Sequence, residues 1–273
     1  MMRIAILADI HGNLPAFEAV LRHVRQQAPD FVFIAGDIVI GAPDSVACWQ
    51  LAQSLGCPIV RGNHERYLAH IGTAQGDPAW LSEQYKPVQW AATQFTTAER
   101  AAVAALPLAL SLPYILDLLV VHATARSDRE NLPPSKPDAD IDAMFPSVQA
   151  RWIVRGHDHI ARTHLWRDKQ IITVGSVGLP MDGSTAAQYL LLETTPHGWQ
   201  THHQAVDYDL NLTLQRFAAT RYVAETGVMG RLFLREVITA APHFVPFLRL
   251  YHQWTAATPL SFSDALERYL THY

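Results

Sequence analysis

RIAILADIHGNLPAFEAVLRHVRQQ, Arg3 to Gln27, runs shortly into DFVFIAGD, Asp30 to Asp37, and together they decide the fold. RIAILA is short, apolar and closed by a glycine-containing turn, which predicts a β-strand. Leu14, Phe17, Leu21 and Val24 then recur at helical spacing, so LPAFEAVLRHVRQQ predicts a helix with one buried face. DFVFIAGD predicts the next strand. PDSVACWQLAQSLG, Pro43 to Gly56, predicts the next helix, with Pro43 near its start and Gly56 beyond its end. CPIV, Cys57 to Val60, reads as a third strand. Strand–helix–strand–helix–strand favours a parallel sheet covered by helices.

Residues 63–106 read as mainly helical, and Thr96 with Glu99 forms the S/T-x-x-E pattern of a capping box opening the helix at TAERAAVAAL. From Leu108 the pattern turns to strands: LALSL, YILDLLVV, RWIVRG, THLWR, QIITVG, AQYLLLE and WQTHHQAV. A hairpin is expected around Asp168 and Lys169. The loop 126–146 holds Pro133, Pro134, Pro137 and Pro146 beside several acids, and a long loop in a compact domain is more often functional than idle, so it reads as a rim or lid. After Asp207 the pattern is helical again, in LNLTLQRFAATRYVAE, GRLFLREVITAAPHFVPFLRLYHQW and SFSDALERYLTHY. This tail is too apolar to float free; it is expected to pack on its own domain, on a partner subunit in a homo-oligomer, or over the mouth of the site.

With 273 residues, 49% of them hydrophobic and 17% charged, the chain can bury a core and does not have the composition of a disordered one. A net charge of −4 and the lack of a Lys/Arg stripe argue against long nucleic acid and anionic membranes as partners. Cys48 and Cys57 are too few for a disulfide scaffold and read as packed thiols. The opening MMRIAILADIHG lacks the pattern of a signal peptide, and no apolar run is long enough to span a bilayer, so a cytoplasmic location is expected.

Five apolar runs end in oxygen or imidazole groups: ILADIHGN, FIAGDIV, IVRGNHE, LLVVHA and IVRGHDH. They supply Asp9, His11, Asp37, Asn63, His64, His122, His157 and His159, a set suited to divalent metal ions. In an open α/β sheet such residues converge outside the carboxyl ends of the strands. Extended geometry through Ile10 would let Asp9 and His11 face one ion, and His157 and His159 share that spacing. Gly36, Gly62 and Gly156 permit the sharp turns and close approach that such a site requires.

The ordered set D-x-H, G-D, G-N-H-E, apolar-H and G-H-x-H resembles the calcineurin-like metallophosphoesterase superfamily over Asp9 to His159. GDIVIGAPDSVACWQLA and GSVGLPMDG, Gly175 to Gly183, resemble its small prokaryotic phosphodiesterase-like branch. The resemblance implies a four-layer α/β/β/α sandwich of two mixed sheets, residues 1–206, with a helical extension at 207–273. It implies two divalent ions (Mn, Fe, Zn, Ni or Co): one on Asp9, His11, Asp37 and His159, the other on Asp37, Asn63, His122 and His157. Asp37 bridges them, and His64 is left as the general acid for hydrolysis of a phosphodiester or phosphomonoester by a metal-activated hydroxide. A small phosphorylated substrate, such as a nucleotide, is expected. The other readings are a protein phosphatase, a dinucleoside polyphosphate hydrolase, or an inactive scaffold of the same fold. Ile40 and Gly41 stand where the protein phosphatase branch carries an Asp-Arg pair, which weakens the first two. Glu65 and Arg61 read as local structural residues. Leu179 and Met181, apolar where the branch is often polar, suggest a greasier pocket.

Overall fold

Strand β1 (Arg3–Leu7) is buried on both faces, and that burial explains its unbroken apolar run. Side chains alternate across it: Ile4 and Ile6 face a second sheet, while Ala5 and Leu7 face helices. In the computed structural model, which describes residues 2–112, 115–256 and 258–272, β1 lies within a four-stranded sheet ordered β2–β1–β8–β9. Here β2 is Phe31–Ile34, β8 Ala187–Thr195 and β9 Gly198–Val206. The β1–β2 pair is parallel, whereas β1–β8 and β8–β9 are antiparallel. The second sheet is ordered β3–β4–β5–β7–β6, built from Ala109–Leu112, Ile115–Val121, Trp152–Arg155, Lys169–Thr173 and Arg162–Trp166 in that order. Its β4–β5–β7 centre is parallel and both edges are antiparallel.

Ile4, Ile6 and Phe33 from the first sheet pack on Val120, Val154 and Ile172 from the second. Helices α1 (Leu14–Gln27) and α2 (Ser45–Ser54) cover the outside of the first sheet through Phe17, Val20 and Trp49. Helix α6 (Asp138–Met144) covers the outside of the second, with Ile141 and Met144 in a cluster with Ile153 and Ile171. The result is the expected four-layer α/β/β/α sandwich of mixed sheets. Both sheets are mixed, whereas the first part of the sequence suggested parallel pairing alone; the long β8–β9 hairpin returns to pair with β1.

Between α2 and the second sheet lie α3 (Asn63–His70), α4 (Lys86–Ala92) and α5 (Thr97–Ala104), with 3₁₀ turns at Pro78–Leu81 and Glu83–Tyr85. The capping box forms at α5, where Glu99 N–H donates to Thr96 Oγ1 at 3.2 Å and Thr96 N–H to Glu99 Oε2 at 2.9 Å. CPIV makes one bridge, Ile34 with Ile59, instead of a strand, because the chain leaves the sheet edge at Arg61 for the site. The hairpin at Asp168 forms as β6–β7, and the loop 126–146 contains α6. Tyr114 and Tyr273, at the ends of two expected segments, lie outside the described residues.

The tail folds into α7 (Leu210–Ala219), α8 (Tyr222–Thr239), α9 (Phe244–Thr255) and α10 (Phe262–His272). Two expected helices are broken: Arg221 and Ala240 adopt left-handed conformations, and Gly227 kinks α8. These helices dock on the main body. Thr213 Oγ1–H donates to Asn13 Oδ1 at 2.8 Å, Arg216 pairs with Asp44, and Tyr222 meets Trp90 edge-on at 4.9 Å between ring centres. No helix among the described residues is long and apolar enough to cross a membrane.

Leu190, on β8, is fully buried between the sheets. Leu190→Ala is expected to lower stability by about 2–5 kcal/mol, read from the midpoint of urea unfolding.

Candidate metal centre

Strand β1 ends at Leu7, two residues before the first acid. Asp9 and His11 are in the left-handed region, with φ of 56° and 50°. Asp37, His157 and His159 share that conformation, with φ of 52°, 70° and 58°. Extended geometry therefore does not persist through Ile10, contrary to the spacing argument. The i, i+2 pairs reach a common point by tight turning. For non-glycine residues this backbone costs on the order of 1–2 kcal/mol each. Hydrogen bonds between the loops offset that cost: Asp9 N–H to Gly36 O at 3.0 Å, His11 N–H to Asp37 O at 2.9 Å, and Gly178 N–H to Asp9 O at 2.9 Å.

All eight residues singled out from the sequence converge. Asp37 Oδ2 lies 3.8 Å from His11 Nε2, 3.3 Å from His122 Nε2 and 3.9 Å from His64 Nε2. Asp9 Oδ1 lies 3.3 Å from His159 Nε2 and 3.9 Å from His11 Nε2. Asn63 Oδ1 is 3.2 Å from His122 Nε2, and the His122 and His157 rings are 5.1 Å apart. Asp9, His11 and His159 form one group with metal-ligand spacing and Asp37, His122 and His157 another, and a third, His11, Asp37 and His64, overlaps them. His64 stands beside both on the first turn of α3, its N–H donating to Asp37 Oδ1 at 2.9 Å.

The hydrogen bonds of the imidazoles test whether these residues suit a cation. His11 Nδ1 lies 2.7 Å from Ile40 O, His159 Nδ1 2.7 Å from Leu179 O, and His122 Nδ1 2.8 Å from Ala35 O. A carbonyl only accepts, so each Nδ1 carries a proton, and each ring in its neutral form turns an Nε2 lone pair inward. His11 Nε2 and His159 Nε2 then approach to 3.0 Å, acceptor against acceptor. A proton or a metal cation must sit between such groups, and backbone-anchored imidazoles are how proteins present ligands to metals.

The electrostatics is divided: burial favours the neutral, ligand form of His11, His64 and His157, whereas the neighbouring carboxylates draw a proton onto His122 and His159. Burial holds His11 well below the ordinary histidine range, aided by the charges of His159 and His64. Burial, then His122, pulls His157 down to about 3. Burial also lowers His64. Burial opposes charge on His122, but Asp37 overrides it and lifts that imidazole to about 10. Burial would raise Asp37, yet the surrounding imidazoles hold it well below the usual carboxylate range.

Supporting residues fix this geometry. Glu65, fully buried, accepts from Asp37 N–H at 2.7 Å, Ile38 N–H at 2.7 Å, Val39 N–H at 3.3 Å and Gly62 N–H at 2.9 Å. It anchors more than its own turn: it holds the Asp37 loop against the start of α3. At Gly62 a Cβ would collide with Asp37 Oδ1, and at Gly156 it would lie 2.5 Å from Asp9 Oδ2. Arg155, fully buried, donates to Ala123 O at 2.6 Å, to Glu130 O at 2.9 Å and to Asp158 at 2.5 Å, tying the His122 loop to the turn between His157 and His159. Sequence reading did not single out Arg155 or Asp158. The available signal was a charge closing the otherwise apolar WIV run. Ser176 was missed too; its Oγ–H donates to Asp9 O at 2.7 Å and its Oγ accepts from Leu179 N–H at 2.8 Å, seating GSVGLP against the Asp9 loop.

A pocket of about 600 Å³ opens over the centre. His64, Tyr67, Tyr85 and Val88 line it, together with Leu179 and Met181 from the GSVGLPMDG segment. The loop 126–146 contributes Arg129, Asn131, Pro133 and Pro134, and the C-terminal helices contribute Phe233, Glu236, Phe244 and Val245. The apolar lining at Leu179 and Met181 follows the sequence expectation, and the proline-rich loop forms part of the rim.

Comparison with known proteins accords with this geometry. The chain is 25% identical over 252 residues to an uncharacterized protein of Methanocaldococcus jannaschii, covering 85% of this chain and 97% of that one. A metallophosphoesterase structure from Sphaerobacter thermophilus superposes with a TM-score of 0.68 at 21% identity, covering 88% of this chain and 99% of that one. A hypothetical protein from Pyrococcus horikoshii gives a TM-score of 0.71 at 16% identity, covering 89% and 100%. Residues 2–161, more than half of the chain, match the family model described as calcineurin-like phosphoesterase, and the chain belongs to that family.

Proposed function

We propose that this protein is a dinuclear metal-dependent phosphoesterase acting on a small phosphodiester or phosphomonoester. The observation that carries this reading is the meeting of imidazole Nε2 atoms around Asp9 and Asp37, with the Nδ1–H of His11, His122 and His159 already committed to carbonyls. One ion would be held by Asp9, His11, Asp37 and His159, the other by Asp37, Asn63, His122 and His157, with Asp37 shared. Mixed oxygen and nitrogen donors suit Mn, Fe, Zn, Ni or Co. When bound, two such ions supply Lewis acidity toward a phosphoryl oxygen and lower the pKa of water toward about 7.

The chain's own residues divide the remaining work. Asp9 and Asp37 bring the negative charge that keeps two cations close. Glu65 and the Arg155–Asp158 pair hold the ligand loops, so that little reorganisation is required on reaction. His64 is only partly exposed and its ring packs edge-on to His11 at 4.7 Å. Its backbone is fixed on Asp37, which leaves the imidazole free to give a proton to the departing oxygen. Such general acid catalysis typically contributes ~10²–10⁴-fold. The pocket volume of about 600 Å³ supports a small-molecule substrate, since ligand pockets run to roughly 300–1,000 Å³. Retention of every ligand and of His64 favours an enzyme over an inactive scaffold.

Asp37→Asn and Asp9→Asn are expected to lose bound metal and activity together. The check is elemental analysis of purified protein alongside hydrolysis of bis(p-nitrophenyl) phosphate and p-nitrophenyl phosphate, with added Mn, Ni, Zn or Mg and with chelator. Full activity in either variant would sink the assignment.

His64→Ala is expected to keep its metal content. It should slow esters of poor leaving groups by about 10²-fold or more and good ones far less. Equal slowing across a leaving-group series would remove His64 from the acid role.

A further inference from the structure

Along Asp128 to Leu132 every second side chain is held by the body of the protein. Asp128 is buried and accepts from Arg66 Nε at 2.7 Å and Nη2 at 3.0 Å. Glu130 accepts from Thr124 Oγ1 at 2.7 Å and pairs with Arg126. Leu132 is fully buried. The two residues between them, Arg129 and Asn131, are exposed and line the pocket over the metal centre. Among the described residues neither of these two side chains has a hydrogen bond or an ion pair. Arg162, the other arginine on the pocket, is committed to Asp158 and to Leu132 O.

The backbone that carries Arg129 is fixed. Glu130 O accepts from Arg155 at 2.9 Å, and Leu132 N–H donates to Asp158 Oδ2 at 3.2 Å. The guanidinium therefore has no partner to give up before it meets a ligand. Its charge acts on the hydroxyl of Tyr67, so it sits on the Tyr67 side of the pocket. The leading charges acting on His11, Asp37 and His64 belong instead to the centre itself. Two divalent ions on a ligand set with two carboxylates would leave that centre positive, and a phosphoryl group seated there would find its counter-charge without Arg129. What remains for an unpaired cation on the pocket wall is a second anionic group on the same molecule.

We propose that Arg129 is a specificity-determining residue: its guanidinium, joined by the Asn131 amide, binds a second phosphate group of the substrate, apart from the one at the metal centre. This rests on the phosphoesterase reading above and narrows its substrate class to molecules with two phosphate groups, such as a nucleoside bisphosphate. The planar N–H fork of arginine matches two phosphate oxygens, and the amide offers a donor to the third. A carboxylate, with two oxygens, leaves that donor unused. The apolar and aromatic surface of Tyr67, Tyr85, Val88 and Pro133 takes the carbon skeleton between the two phosphates.

Titration calorimetry on the manganese-loaded full chain tests this without turnover. The probes are alkane-1,n-bisphosphonates of two to eight carbons, the alkylphosphonates of equal length, and the matching ω-carboxyalkylphosphonates. Scanning the length removes any assumption about the span between the two sites. In wild type the best bisphosphonate is expected to bind about tenfold or more tighter than its alkylphosphonate, and tighter than its carboxylate analogue. Arg129→Gln should reduce the first ratio to within about twofold of unity, and Asn131→Ala should lower it about threefold. Both positions are exposed, so metal content and thermal unfolding should match wild type. No bisphosphonate preference in wild type overturns the proposal. So does a preference that survives in Arg129→Gln, since it then comes from the ions alone. Equal or tighter binding of the carboxylate analogue overturns the assignment to phosphate, and an unaltered ratio in Asn131→Ala removes Asn131 from the subsite. Failure to hydrolyse either nitrophenyl ester overturns the phosphoesterase reading, whereas an active enzyme without the Arg129-dependent preference overturns this inference alone.

Discussion

The Glu65 carboxylate, buried and bonded to four backbone N–H groups, is the constraint on which the site depends. It fixes the turn after β2 against the start of α3, and so fixes Asp37 between His11 and His122. Burying a carboxylate is costly unless its oxygens are filled, and here donors from two separate loops fill them. Burial and the like charge of Asp37 push Glu65 up to about 7. Its hydrogen bonds and the positive side of the imidazole cluster work against that rise. The geometry of Asp37 is therefore set from behind, by backbone, and its oxygens stay available in front.

The other loops lock onto that one. Asp37 O accepts the His11 N–H and Ile38 O accepts the Gly12 N–H at 2.9 Å, so the first ligand loop is laid directly on the second. Asp9 in turn receives the His157 N–H, at 3.0 Å from Oδ2, which carries the constraint into the second sheet. The left-handed residues at Asp9, Asp37, His157 and His159 are strain held in place by this mutual bonding. They let the loops after β1, β2 and β5 deliver their side chains to one point without long, flexible reach. A side chain at Gly62 or Gly156 would occupy the space of a carboxylate oxygen, so the motif glycines are required by close approach.

Much of this was legible in the sequence because its cause is local. An apolar strand ending in Asp or His needs only a period and a terminus to be seen, and all eight singled-out residues do converge. The helix at Leu14–Gln27 was legible for the same reason, since its buried face recurs at fixed spacing. Features set by distant partners were not. CPIV has strand composition, but it leaves the sheet after a single bridge, and no window of sequence contains that event. Backbone handedness at Asp9 and His11 is dictated by Gly36 and Asp37 across the turn, so the i, i+2 argument reached the right pair by the wrong geometry. Arg155 had a visible signal, a charge closing an apolar run, but its meaning lay in Ala123 and Glu130, on a loop well back along the chain.

The C-terminal helices add a pocket wall to a centre built by the sandwich. The ligand loops are held by one another and by Glu65 and Arg155, none of which belongs to the tail. The tail is held by Thr213 on Asn13 and Arg216 on Asp44, contacts that grip the rim of the sandwich instead of its ligands. The tail also packs on Leu179, whose carbonyl holds His159 Nδ1, so the pocket wall and the centre share that contact. A change on the Phe233–Val245 wall can reshape the pocket without shifting Asp37. A change at Glu65 moves the centre whatever the wall contains.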